Sequence, residues 1–318
     1  VSRVSQPSLV QSVVQAILTT ATGAALWLIR HVSWTTRKAL AEAAGRRIAR
    51  SQRKRHQAAE VNLTLAFGDR YDSAERNRIG EESFSSFIRC MLDSAAMIPT
   101  INQDNWQQMV HIPQADIDAL GGHFAKGKGV LVMFSHYGNW ELMGAAMPFI
   151  CGDRQVHVVA KRQSAWSNPL IEKFRTTTGN KVIYKEGAVR ATLRALKNNQ
   201  LVGLSIDQNF SGGIFVPFFG TKAGTVDTLG ALSRASGAPI VPLVCVPKND
   251  GSYEGRLLPA IEPMKTADKV ADVYQITLSC IAVLEEIIRQ KPEMWLWGHK
   301  RWKSRPLDED PKLNFYDE

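Results

Sequence analysis

The chain is poor in cysteine and lacks the pairings that make cysteine structural or metal-binding. Cys90, Cys151, Cys245 and Cys280 are widely spaced, none in a C-x-x-C, and each has apolar neighbours. This argues against a disulfide framework or a zinc centre and predicts reduced core thiols. No G-x-S-x-G elbow occurs, so the sequence offers no serine nucleophile of that type. Internal repeats, low-complexity tracts and flexible linkers are also missing. Acid is scarce in one place above all. Between Arg30 and Arg55 nine basic residues (Arg30, Arg37, Lys38, Arg46, Arg47, Arg50, Arg53, Lys54, Arg55) face one acid, Glu42. Nearly all of the formal +9 charge sits there, which disfavours a nucleic-acid groove spread over the fold and predicts one local basic surface.

Charge is absent altogether from Leu9 to Ile29, LVQSVVQAILTTATGAALWLI, twenty-one residues. A bilayer-crossing helix needs about 20 such residues. Gln11, Ser12, Gln15 and three threonines dilute the run, while Trp27, Trp34 and Arg30 suit a membrane interface. No strong basic region precedes it, which disfavours a secretory signal. The run is expected to attach the chain to a membrane, spanning it or lying flat on it; the positive-inside rule puts the remainder in the cytoplasm.

What is present in the body is α/β alternation. At 318 residues with 44% hydrophobic content, one substantial core is within reach. Apolar runs at 129–134, 156–160, 181–184, 201–206 and 239–246 read as strands. Between them, 138–149, 167–177, 187–198 and 226–236 suit helices, with longer helices over 74–98 and 268–290. Continuous apolar strands interleaved with helices predict a mainly parallel, mixed sheet covered on both faces. Residues 252–261 suit an antiparallel edge strand. The expected organisation is a membrane-anchoring helix over 1–34, a basic juxtamembrane segment over 35–60, and one α/β domain over 61–318.

The chemistry concentrates in FSHYGNWE, residues 134–141. On one continuous helix His136 and Glu141 would stand roughly 140° apart, unlike metal-binding i, i+4 pairs, so no metal is expected. If His136 ends a strand and Gly138 turns the chain into a helix, Glu141 folds back toward the imidazole. The carboxylate would then fix the tautomer and leave the other ring nitrogen basic. Strand C-termini are also where open α/β sheets place ligands. A core histidine satisfied locally is the alternative. Ser135 adjoins His136 but points to the opposite face.

His136-Tyr-Gly-Asn-Trp-Glu141 resembles the H-x4-[DE] motif of glycerolipid acyltransferases. NLTLAFGD (62–69), SIDQN (205–209), FVPFFGTKAGT (215–225), GAPIVPLV (237–244) and WLWGHKRWKSRP (295–306) are similar to one branch, the late acyltransferases of lipid A biosynthesis. The resemblance runs from about residue 50 to 306. It implies a glycerolipid-acyltransferase-like fold, a single N-terminal membrane helix, and residence at the bacterial inner membrane facing the cytoplasm. It also implies an acyl carrier protein thioester donor, or acyl-CoA, and a lipid hydroxyl as acceptor, with no cofactor and no nucleic acid. His136 would be the general base and Glu141 its orienting partner. Substrate-site roles carry over to Arg162 and Asp207, with Gln208 and Arg175 as further candidates. Where many members read Tyr-Arg-Pro this chain has Lys161-Arg162-Gln163, and where many read Asp-Gln-Asp it has Asp207-Gln208-Asn209. The acceptor therefore stays open among a lipid A precursor, a lysophospholipid, a phosphoinositide mannoside or an aminolipid. From another class, a non-catalytic module holding anionic membranes is the competing reading.

The flanking residues each admit a plain reading too. Arg162 and Arg175 suit a phosphate, or are surface arginines. Asp207 orients a neighbour, or caps a turn. Gly212-Gly213 make a phosphate nest or a turn. The aromatics of 215–220 line an acyl chain or fill the core. His299, Lys300, Arg301 and Lys303 form either a snorkelling interfacial tail or a solvated basic terminus.

Overall fold

The computed structural model describes residues 23–24, 27–164, 167–309 and 314–316. Most of the uncharged run 9–29 lies outside these residues. Among the described residues no helix is long and apolar enough to cross a membrane.

The basic stretch folds into helices rather than standing apart. Helix α1 (Trp34–Ser51) starts at Ser33, whose hydroxyl accepts from the Thr36 amide at 3.2 Å, the usual N-cap bond. Helix α2 (Arg53–Phe67) follows after a one-residue break, and α3 (Ser73–Met97) begins at an Asp72 cap. Along α1 the stripe Arg37, Ala41, Gly45, Ala49 is buried against α3. A Cβ at Gly45 would lie 2.2 Å from the Ser85 hydroxyl, so only glycine admits this approach. Arg37 is the one cation of the stripe, and it donates to buried Asp93 at 2.6 Å.

A short strand β1 (Val110–His111) and helix α4 (Gln114–Ala125) lead into the α/β core. There β2 (Val130–Phe134), α5 (Trp140–Cys151), β3 (Val156–Ala160), α6 (Asn168–Thr176), β4 (Lys181–Tyr184), α7 (Ala188–Lys197) and β5 (Leu201–Ser205) alternate. A hairpin of β6 (Ile214–Phe218) and β7 (Thr221–Thr225) forms its own two-stranded sheet. Then come α8 (Thr228–Ser236), β8 (Ile240–Pro247), β9 (Tyr253–Leu257) and α9 (Lys269–Gln290).

The seven-stranded sheet runs β1-β9-β8-β2-β5-β3-β4, and every neighbouring pair is parallel except β8–β9. The expected mainly parallel, mixed sheet is thus present. The antiparallel strand is not the edge, because two residues of β1 pair outside it. Side chains alternate along β2: Leu131 and Met133 join the core on one face, Val130 and Val132 the core on the other. All four cysteines are buried and free.

One expectation is corrected here. The C-terminal Trp-rich segment is neither a snorkelling tail nor a solvated terminus. Trp295, Trp297, Arg301 and Trp302 are fully buried, and Arg301 donates to the Gly224 carbonyl and the Thr225 hydroxyl, both at 2.6 Å. Burial lowers its guanidinium pKa to about 10. The Asn62 amide holds the segment through the Trp297 and His299 carbonyls, both at 2.7 Å. Of the two readings of the aromatics of 215–220, Phe218 and Phe219 take the core one: Phe218 packs on Trp295 and Trp302, and Phe219 on Phe67 and Trp297.

Candidate active site

The strand–turn–helix expected at 134–141 is what forms. After β2 ends at Phe134 the chain passes His136 and turns at Gly138, whose φ is +60°. A Cβ there would stand 2.0 Å from the Cys245 carbonyl oxygen, so glycine is required both by conformation and by space. Asn139 caps α5: its side-chain oxygen accepts from the Leu142 amide at 3.0 Å and from the Ser94 hydroxyl at 2.8 Å. The turn is also pinned from the C-terminal segment. The Leu296 amide donates to the His136 carbonyl at 3.1 Å, and the Gly138 amide to the Met294 carbonyl at 3.0 Å.

The partner of His136 is Asp207. The imidazole Nδ1 lies 3.0 Å from Asp207 Oδ1, and the His136 amide donates to Oδ2 at 2.7 Å. Trp295 adds its indole N–H to Oδ2 at 3.1 Å. Asp207 is 2% exposed, follows β5 at its C-terminal end, and reaches β2 because those strands are neighbours. Burial opposes its ionisation, but the imidazole and the donors around it outweigh burial and lower its pKa to about 2. Burial likewise disfavours charge on His136, yet Asp207, helped by Glu141, raises its pKa above the ordinary value. An Nδ1–H bonded to a carboxylate leaves the Nε2 lone pair free, and the half-buried ring packs edge-on to Trp140, centroids 4.9 Å apart.

Glu141 is not the hydrogen-bonded partner expected from the spacing. It sits in the first turn of α5 and takes a two-point ion pair from Arg175, the last turn of α6, with Nε donating to Oε2 at 3.0 Å and the second guanidinium nitrogen bonding Oε1. The Trp140 indole N–H also donates to Glu141, at 3.2 Å. The physical reason is the turn: the α5 cap directs this carboxylate toward α6, while the strand order delivers Asp207 to the imidazole. Glu141 acts on His136 through its charge.

Arg175 is therefore a half-buried, engaged guanidinium, not a loose surface arginine. Arg162 is exposed beyond β3, its guanidinium carbon 3.8 Å from the Tyr184 ring centroid, and does not join the imidazole. Gln208 is exposed and does not bond the imidazole. Gly213 lies in the tight turn entering β6, where a Cβ would stand 1.9 Å from the Thr225 carbonyl oxygen. Trp295 and Asn139 were missed from sequence; the signal for the first was the density of tryptophan in WLWGHKRW, and for the second an Asn directly before a helical run. Beside Glu141 and Arg175 lies a narrow apolar cavity of about 60 Å³, walled by Val132, Phe134, Met147, Val158 and Phe174. Among the described residues no three His, Cys, Asp or Glu side chains are grouped to hold a metal ion.

The sequence profile described as bacterial lipid A biosynthesis acyltransferase matches residues 9–304. The chain belongs to this family. It is 28% identical over 266 residues to the lipid A biosynthesis palmitoleoyltransferase of Escherichia coli (strain K12), covering 81% of each chain. It is 26% identical over 292 residues to the lipid A biosynthesis lauroyltransferase of the same organism, covering 88% of this chain and 90% of the relative. The phosphatidylinositol mannoside acyltransferase of Mycobacterium tuberculosis (strain ATCC 25618 / H37Rv) is 25% identical over 218 residues, 64% of each chain.

Proposed function

We propose that the protein transfers a fatty acyl chain from an acyl carrier protein thioester to a hydroxyl of a lipid A precursor, at the cytoplasmic face of the bacterial inner membrane. The observation that carries this reading is the His136–Asp207 pair at the C-terminal end of the sheet, beside an apolar cavity. His136 Nε2 takes the proton of the acceptor hydroxyl as its oxygen attacks the thioester carbonyl carbon. The tetrahedral adduct then expels the thiolate: the C–S bond breaks, the ester C–O bond is complete, and the imidazolium returns its proton to the sulfur. Asp207 keeps the tautomer and stabilises the transient imidazolium. Glu141 holds Arg175 at the cavity, where a guanidinium suits the developing oxyanion and the hydrocarbon of the donor lies against Phe134 and Val158.

Membrane residence is supported by the uncharged run 9–29 and by the exposed cations Lys38, Arg46, Arg47 and Arg50 of α1, with Trp27 and Leu28 exposed ahead of it. The mannoside-acyltransferase relative supports one second reading, a phosphoinositide mannoside acceptor.

The test is incubation of the full-length protein with acyl carrier protein thioesters and both acceptors, read by mass spectrometry. Acylated lipid A precursor is expected from wild type, with a loss on the order of 10³-fold or more in His136→Ala that stays folded. Undiminished transfer by that variant, or acylation of the mannoside alone, contradicts the reading.

A further inference from the structure

A second cavity lies on the opposite face of the sheet from the one beside Glu141 and Arg175. It measures about 310 Å³ and opens at the same C-terminal strand ends, with Ser205, Ile206 and Gln208 around Asp207 in its wall. Its interior is apolar: Val159 from β3, Leu204 from β5, Val226 and Leu229 from the start of α8. Val189 and Phe210 line it while remaining 55% and 43% exposed, two large hydrophobic side chains left in solvent at one site. One polar group inside is unsatisfied. The Thr192 hydroxyl is wholly buried in this wall and has no hydrogen-bond partner. A buried orphan hydroxyl is destabilising until something bonds it, and a ligand carrying oxygen close to its hydrocarbon would do so.

The rim adds an excess of positive charge. Lys185 lines the cavity, and the register pairing Ala160 with Tyr184 places Lys161 at the same sheet end. Arg162 follows, and Arg190 stands in the first turn of α7; all four are exposed, and Glu186 is the acid among them. Gly187 enters α7 without a side-chain cap, so the open end of a ten-residue helix also faces this rim.

We propose that this second cavity holds a hydrocarbon chain of the acceptor lipid, with the lipid's anionic head against the Lys161–Arg162–Lys185–Arg190 rim. The inference rests on the acyltransfer reading above. It also follows from partition: in the proposed reaction the donor's hydrocarbon lies against Phe134 and Val158 on the other face, and an acceptor that is itself a lipid needs its own apolar cover when lifted from a bilayer. The Thr192 hydroxyl donates to an ester, amide or hydroxyl oxygen near the head of that chain.

The test uses two plugs in the full-length protein. Ala188→Trp fills the mouth of the second cavity. Gly144→Phe fills the first, since a Cβ at Gly144 meets nothing within 4 Å. Ala188→Trp is expected to raise the acceptor KM at least about tenfold with the donor KM unmoved, and Gly144→Phe to do the reverse. Thr192→Val is expected to raise the acceptor KM about threefold to tenfold without lowering Tm, because it removes an unpaired hydroxyl. A donor KM that moves in Ala188→Trp, or an acceptor KM that moves in neither Ala188→Trp nor Thr192→Val, overturns the proposal. Binding of myristoyl lysophosphatidate to the His136→Ala protein, followed by native mass spectrometry, separates this from the catalytic reading. Binding lost in Ala188→Trp, where wild type transfers nothing to a lipid A precursor, sinks the proposed reaction and keeps the chain site; no binding, or binding indifferent to the plug, sinks the site.

Discussion

Two carboxylates stand near one imidazole, and they are held in different ways. Asp207 is 2% exposed, sits 71 residues from His136 in sequence, and collects three donors, from the His136 ring, the His136 amide and the Trp295 indole. Glu141 is five residues from His136, more accessible, and spent on Arg175. Proximity along the chain did not decide the partner; sheet order did. The nearer carboxylate was turned away by the helix it starts, and the remote one arrived because β5 is a neighbour of β2. The difference also sorts the contacts: one carboxylate holds an imidazole nitrogen, the other holds a guanidinium.

The strongest way to break this division is to neutralise each carboxylate in turn. Asp207→Asn should lower kcat by about 10³-fold, since it removes the tautomer lock and leaves the buried donors misaligned. Glu141→Gln should lower it on the order of 10²-fold, by releasing Arg175. Near-equal losses with identical pH profiles would erase the distinction. Gly138→Ala attacks the turn that separates the two, and should cost on the order of 3 kcal/mol in a denaturant titration, combining left-handed strain with the clash at the Cys245 carbonyl. The smallest effect on kcat should come from Trp295→Phe, which takes one donor from Asp207 and trims the buried indole to a phenyl: about 2 kcal/mol of stability and a modest fall in kcat. In folding terms, Asp207 contributes stability at neutral pH that persists down to the unfolded carboxylate range and is lost as pH falls through about 2.

Much of the scaffold was legible in the residues, for physical reasons that can be named. The strand at 156–160 and the helix over 268–290 declare themselves by a valine-rich run and by an Asp268 cap with a long apolar stripe. The turn at Gly138 was readable because a polar trio interrupts an apolar strand just where α5 begins. The partner of His136 was not readable, because a hydrogen bond across 71 residues depends on strand order that no local pattern encodes. The β6–β7 hairpin was overlooked for a related reason: VPFFG carries a proline and reads as a site motif, whereas its phenylalanines are spent on Trp295, Trp297 and Trp302. The basic tail misled because charge was taken as a sign of exposure, and Arg301 is buried on the Gly224 carbonyl and the Thr225 hydroxyl.

The most direct test of the central claim, that Asp207 rather than Glu141 orients and charges the base, is the pH dependence of kcat/KM. A general base works unprotonated, so activity should rise through the His136 pKa, on an acid limb above the ordinary histidine value near 6.5. Asp207→Asn should move that limb down, toward or below the ordinary value, because Glu141 alone is left to oppose burial; Glu141→Gln should move it down less. A limb that stays in place in Asp207→Asn and falls in Glu141→Gln would contradict the account.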